Sequence, residues 1–497
     1  MHTTVPQCRA RRSATKLRRA ANSDTRCAAR RAFAANTAPA KLGASASALA
    51  LLLAAFAAPA AFGDTAETDP QTRVRELEAR IAKLEKRQVM TDADDAKAAA
   101  STPQVSLGTG GLNIAVPDKS FNVKIGALVQ ADGRFWLDSP ATFNDTFMMR
   151  RVRLPIAGTF GDFVKFNLTP SFDAADAAPT VSVSEAANGT HTATVSNSNN
   201  TQLFEAWIEA RFMKEFGLTF GKFRSPVALT GPDNRHFSEA PFTNHLAPNR
   251  DIGVDASGSF FGGVLGYRLG LYDGAPNNTY NATVNADTHF SGAGRLTLSP
   301  FIGSGYDALA GLVFSIGASY GSESGNSAAV KSVSTQNISG AFAMRGDHVR
   351  FAPAVQWYWG PLSVVGEFAY DRPTRASDHA HIVNTAWTVA AGFVLTGEKS
   401  TPRGVTPDTP FNIGAWHFGA VELVARVGGV DIDSKLAANS TASSAFAVGV
   451  GVNWYLTKNL LVRTGVELTD YNASTAAPSA LIKDGEITCF TRVELKF

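Results

Sequence analysis

The chain has 497 residues, of which 18% are charged, with 43 Gly and 32 Phe; low charge with abundant Gly and Phe fits a barrel with an aromatic exterior better than a soluble enzyme. The formal net charge of +3 comes from one end, because residues 1–63 carry ten Lys or Arg and a single acid, Asp24. Taking these from totals of 46 basic and 43 acidic residues leaves 36 and 42, a net of −6, which removes the main support for a nucleic-acid partner.

Residues 1–63 read as a secretory presequence. An Arg-rich stretch and Lys41 precede the apolar run Leu49-Ala-Leu-Leu-Leu-Ala-Ala-Phe56, and small residues follow at Ala58-Pro59-Ala60 and Ala61-Phe62-Gly63. An N-terminal membrane anchor is the other reading, but the core is short and Ala-rich against the roughly 20 residues that a span needs. Cys8 and Cys27 lie in this segment, so Cys489 is alone afterwards and reads as a small apolar side chain in a strand. No later run of 18 apolar residues occurs. An exported chain of this kind is periplasmic, secreted or a barrel.

Residues 64–104 carry a short helix and a linker. In Thr72–Gln88 the residues Val74, Leu77, Ile81 and Leu84 fall on one stripe of a helix, with Glu and Lys or Arg on the other faces. Two heptads are marginal alone, so the helix is expected to form a periplasmic coiled coil with other copies. Packing on the rim of its own barrel is the alternative. Asp92–Pro103, rich in Ala and Asp, reads as a linker.

From residue 105 to Phe497 the chain alternates apolar and polar residues over short segments broken by Gly, Asn, Asp or Pro. In Met148–Ile156, Val152, Leu154 and Ile156 share one face and Arg151 and Arg153 the other. Val421, Leu423, Ala425 and Val427 oppose Glu422 and Arg426; Leu460, Val462, Thr464, Val466 and Leu468 oppose Arg463 and Glu467. The last segment sets Ile487, Cys489, Thr491, Val493, Leu495 and Phe497 against Thr488, Phe490, Arg492, Glu494 and Lys496. A charge facing lipid costs about 2–4 kcal/mol at the midplane, so the charged face must be the lumen. Trp357-Tyr358-Trp359, Trp454-Tyr455 and Phe260-Phe261 suit interfacial girdles. Long polar stretches at 177–201, 320–340 and 373–381 read as extracellular or inward-folded loops. The expectation is an all-β transmembrane antiparallel β-barrel of about 16 strands in the bacterial outer membrane, preceded by the coiled coil.

At this point the residues resemble the phosphate- and polyphosphate-selective porin family (porins O and P), in order through most of the chain. The resemblance rests on Phe121-Asn-Val-Lys-Ile-Gly126 with Gln130 and Asp132, Arg150-Arg151-Val-Arg153-Leu followed by Gly158, and Gly221-Lys-Phe-Arg224. Leu395-Thr-Gly-Glu398, Gly414-Ala-Trp416, Glu422-Leu-Val-Ala-Arg426 and Gly451-Val-Asn-Trp-Tyr455 continue it. The resemblance implies a 16-stranded homotrimeric barrel with a narrowed pore lined by basic side chains. It matches Arg150 and Arg151 to a paired Arg of the second strand and puts Arg235 near a pore Lys, while Leu128 replaces a ladder Arg. Lys222, Arg224, Arg235 and Arg250 fall near the expected third loop, and Lys331 lies in the stretch where such porins concentrate arginines. Arg150, Arg151, Arg153, Lys222, Arg224, Arg235, Arg250 and Lys331 are therefore the candidate anion-attracting residues. Each could equally be a lumen charge paired with a neighbouring acid, or an exposed loop charge.

The chain holds no HExxH, P-loop or CxxC motif, and His379-Ala-His381 is too little for a metal site. No enzyme, cofactor or metal is expected. The functional expectation is passive diffusion of small hydrophilic solutes through a homotrimer, with small ions or phosphate as permeants and outer-membrane lipid around it. The alternative is a structural envelope protein whose barrel anchors a coiled coil that contacts peptidoglycan. Deleting residues 72–88 separates the two, since a pore survives the deletion and a tether does not.

Overall fold

The computed structural model describes residues 70–138, 145–172, 180–185, 191–196, 201–231, 235–274, 287–332, 337–473 and 485–497. The presequence expected over 1–63 lies outside them. Among the described residues the first element is a helix, α1 (Pro70–Ser101). Pro70 opens it, where a missing amide hydrogen costs nothing. It continues through the segment assigned to a linker, because Asp92–Ser101 holds Ala and charged residues and no Gly or Pro. No helix among the described residues is long and apolar enough to cross a membrane.

The strands cross instead. Sixteen antiparallel staves follow: β1 (Phe121–Ile125 and Leu128–Asp138), β2 (Thr146–Arg153 and Ile156–Phe160), β3 (Val164–Ser171), β4 (Gln202–Met213), β5 (Phe216–Arg224), β6 (Arg250–Phe260), β7 (Leu265–Tyr272), β8 (Ser291–Leu298), β9 (Leu312–Asn326), β10 (Ala343–Trp359), β11 (Leu362–Arg372), β12 (Asn384–Val394), β13 (Ala420–Asp431), β14 (Ala442–Tyr455), β15 (Leu460–Ala473) and β16 (Gly485–Lys496). Each pairs with its neighbours, and β16 returns to β1 through Arg492↔Asp132 and Leu495↔Val129, which closes the barrel. Breaks at Gly126-Ala127 and Leu154-Pro155 interrupt the first two staves. A hairpin, Gln104–Gly108 with Gly111–Ala115, adds to the start of β1. β9 runs seven residues into the polar stretch expected to be a loop at 320–340.

Burial follows the expected alternation. In β13, Glu422, Val424 and Arg426 are buried while Leu423 and Ala425 are exposed; in β15, Arg463 and Glu467 are buried and Leu468 is exposed; in β16, Thr488, Phe490 and Arg492 are buried and Val493 and Leu495 exposed. The exposed row is apolar and meets lipid. Rings gather at the turn-bearing end: Phe163 against Phe212, Phe260 against Tyr267, Trp357 against Trp359 and Phe411 against Trp454. Within the triplet, Trp357 and Trp359 stack outside, and Tyr358 turns its ring towards Arg235 at 5.6 Å.

At the opposite, loop-bearing end, part of the lumen is filled by a dry cluster. Phe242 and Leu246, Val330, Ile338 and Phe342, and Ile382 and Leu436 enter from four connecting segments. They pack on Ala369, Ala386, Ala445 and Ala447 of the wall, whose small side chains leave them room. Ile338 and Ile382 are wholly buried, and such burial stabilises by about 1.5–3 kcal/mol per side chain.

Candidate functional site

The inner loop, described at residues 225–231 and 235–249, leaves β5 at Arg224 and rejoins β6 at Arg250, and its described residues lie in the lumen. Its two ends close on each other where the Ser225 amide donates to the Asn249 carbonyl at 3.0 Å. Arg224 donates to the carbonyls of Ala228 (3.1 Å) and Thr230, and Arg295 of β8 also reaches the Ala228 carbonyl. Glu367 of β11 accepts from the amides of Leu229 and Thr230 and from the hydroxyls of Thr230 and Thr243. Gly317 of β9 lets the backbone pass, since a Cβ there would collide with the Val227 carbonyl.

Five wall arginines then seize residues 237–239. Arg463 donates to the Phe237 carbonyl at 3.2 Å, Arg492 to that of Ser238, and Arg426 to that of Glu239 at 2.8 Å. The Glu239 carboxylate accepts from Arg134 (2.6 Å), Arg492 (2.8 Å) and Arg150 (3.0 and 3.2 Å). Asp132 braces the group with a bidentate pair to Arg492 at 2.6 and 2.7 Å and a bond from Arg134 at 3.1 Å. Burial alone would raise the Glu239 carboxyl, but Arg150, Arg134 and Arg492 outweigh it and hold it well below the usual carboxylate range.

Strict alternation would put Arg150 and Arg151 on opposite faces. A β-bulge prevents this: Gln130 pairs with Arg151 and Ala131 with Met149, leaving Arg150 as the extra residue. Both side chains therefore face the lumen, Arg150 towards Glu239 and Arg151 towards Gln130 at 3.0 Å. Gln130 in turn donates to Glu494 at 2.7 Å.

On the turn-bearing side, a long connection, residues 395–419, meets the inner loop. Arg235 donates to the Thr401 carbonyl (2.6 Å) and the Ser400 hydroxyl, and also to Glu422 of β13 (2.8 Å) and Ser363 of β11 (3.2 Å). Next to this contact lies a cavity of about 410 Å³ lined by Arg151, Arg235, Arg403, Lys458, Arg463, Arg492 and Lys496, with Glu494 the one acid of its lining. Leu128 lines it too.

Of the eight candidates, Arg151 and Arg235 line this cavity, and Arg150 is held in the Glu239 cluster. Arg153 and Arg250 form a second group, stacked on the two faces of Phe204 at 3.4 and 3.5 Å from its centroid. Arg250 also binds Glu205 (2.9 Å) and Asn249 (2.8 Å). Lys222 is buried beside Phe223 near the end of β5, two residues before Arg224, which roots the loop. Lys331 stands apart, in the short pairing of Val330–Lys331 with Asn337–Ser339. Sequence reasoning gave no role to Glu239, Asp132 or Arg134. For the latter two the inward row Gln130, Asp132, Arg134 was the available signal; Glu239 had none. Among the described residues no group of three or more His, Cys, Asp or Glu is placed to hold a metal.

The model of the family described as phosphate-selective porin O and P matches residues 123–487. No curated protein matches the chain. Among solved structures, the trimer form of OmpT from Vibrio cholerae is 11% identical with a TM-score of 0.47, over 76% of this chain and all (100%) of that one. The outer membrane channel DcaP of Acinetobacter baumannii is 12% identical with a TM-score of 0.46, over 76% and 98%. OprB of Pseudomonas putida is 10% identical with a TM-score of 0.46, over 76% and 95%.

Proposed function

Because the chain belongs to the phosphate-selective porin O and P family and is a closed 16-strand β-barrel of the bacterial outer membrane, we propose that it is a passive channel for small hydrophilic solutes with a weak preference for anions. The preference rests on the turn-side cavity, whose lining includes the exposed cations Arg403, Lys458 and Lys496 and the single carboxylate Glu494. A pore's potential depends on its lining rather than on total charge, so a mildly acidic protein can still attract anions. Selecting phosphate tightly asks for more, namely several cations converging on one narrow point to replace lost water. At the clamp that convergence is already met by protein carboxylates. Arg150, Arg151 and Arg235 are proposed as pore residues, and the chain is proposed to work as a homotrimer, in keeping with its family.

The test is conductance of the purified protein in planar bilayers, with the reversal potential measured in a KCl gradient. Steps in triplets and a reversal potential of anionic sign are expected, with little block by low phosphate. Silent bilayers sink the channel reading; a cationic sign removes the anion preference; block by low phosphate replaces weak preference with a specific site.

A further inference from the structure

The helix α1 carries an exposed apolar stripe. Val74, Leu77, Ile81 and Leu84 are 52–60% exposed, and every residue from 71 to 95 is exposed. Setting Val74 and Ile81 at heptad position a and Leu77 and Leu84 at d places Arg73, Arg80 and Arg87 at g and Glu78, Glu85 and Asp92 at e. In a parallel, in-register coiled coil each g residue meets the e residue five positions later in its neighbour. Arg73 then faces Glu78, Arg80 faces Glu85 and Arg87 faces Asp92, so all three contacts are attractive. An antiparallel pairing sets g against g and e against e, which means Arg against Arg and acid against acid. The charges choose one partner: another copy of this chain, in the same direction and register.

We infer that α1 is a parallel, in-register zipper joining the copies of the assembled protein, a reading that rests on the homotrimer proposed above. The zipper does not count the copies. β-branched residues at a with Leu at d favour two strands, and two apolar heptads cannot hold together unaided. Copy number belongs to the barrels, and α1 adds direction and register.

The experiment uses the full mature chain with Cys489→Ala, so that no native thiol competes, and Gln88→Cys at the next a position. Mild oxidation is expected to link copies through residue 88. Arg80→Glu or Glu85→Arg alone should lower the linked fraction severalfold, and the double reversal Arg80→Glu/Glu85→Arg should restore it. Trimers that conduct normally but do not cross-link overturn the zipper and leave the channel reading intact. Single reversals that link as well as the parent, or a double reversal no better than the singles, also overturn it. Efficient, charge-dependent linking in a protein that does not conduct keeps the zipper and removes the channel.

Discussion

Replacing Glu239 tests whether arginines seat the inner loop. Glu239→Ala removes the acceptor of four bonds, from Arg134 at 2.6 Å, Arg492 at 2.8 Å and Arg150 at 3.0 and 3.2 Å. Breaking a buried ion cluster by deleting one partner costs about 3–5 kcal/mol. The lower end applies here, because Asp132 still holds Arg492 and Arg134 after the change. About 3 kcal/mol shifts the balance between seated and unseated loop roughly a hundredfold, at about 1.4 kcal/mol per tenfold. The roots at Arg224 and Glu367 are untouched, so the middle of the loop lifts while its beginning stays. In planar bilayers the expected result is higher, noisier single-channel conductance. Anion preference should rise as well, since the lumen loses a carboxylate. Glu239→Gln should fall between, keeping an oxygen acceptor without its charge. The barrel's heat stability in detergent should hardly change, because its strand ladder is intact. If Glu239→Ala conducts with wild-type amplitude and noise, the ion cluster does not seat the loop.

Three further outcomes follow from the same geometry. Arg235→Ala cuts the link between the inner loop and the 395–419 connection and should raise conductance while weakening anion preference, opposite in selectivity to Glu239→Ala; the pair of reversal potentials decides. Gly317→Val drives a side chain into the Val227 carbonyl and should expose the inner loop to added protease in folded, detergent-solubilised protein. The Glu239 carboxyl is held well below its ordinary value of 4.5 in the seated loop, so the seat is fully present above that pH and is lost only as pH falls through the depressed value. Conductance should therefore stay level from pH 7 to 4.5; a step within that window would contradict the clamp.

The strands were readable because lipid enforces a period of two, and the last stave shows it residue by residue, with Thr488, Phe490 and Arg492 turned in and Val493 and Leu495 turned out. The site was only half readable. Alternation marks Arg151, Arg426, Arg463 and Arg492 as inward, but it cannot announce the bulge that brings Arg150 in beside Arg151. Nor can it pair Asp132 with Arg492, 360 residues apart in the chain. The dry cluster was hidden for the reverse reason. Ile338, Ile382 and Leu436 are apolar residues in connecting segments, and Ala386 and Ala445 are apolar residues on the lumen face, so both contradict the pattern that identifies a barrel. Asp92–Ser101 looked like a linker from its Ala and Asp content, yet Ala is the strongest helix former and nothing before Pro103 breaks the turn.

Arginine serves two ends in this lumen, and they compete. At the level of the inner loop, Arg134, Arg150, Arg426, Arg463 and Arg492 spend their donors on loop carbonyls, Asp132, Glu239 and Glu467, which fixes the shape of the narrow region. Guanidiniums satisfied in this way are poor ligands for a passing anion, which would have to displace a carboxylate already in bidentate contact. The basic side chains left to act on solutes lie below the clamp and are exposed: Arg403, Lys458 and Lys496. Exposed cations of that kind raise the local concentration of anions without dehydrating them. On the proposed reading, the exposed cations of the turn-side cavity draw anions up to the inner loop, and the paired arginines do not grip them there, which is the basis of the weak preference proposed above.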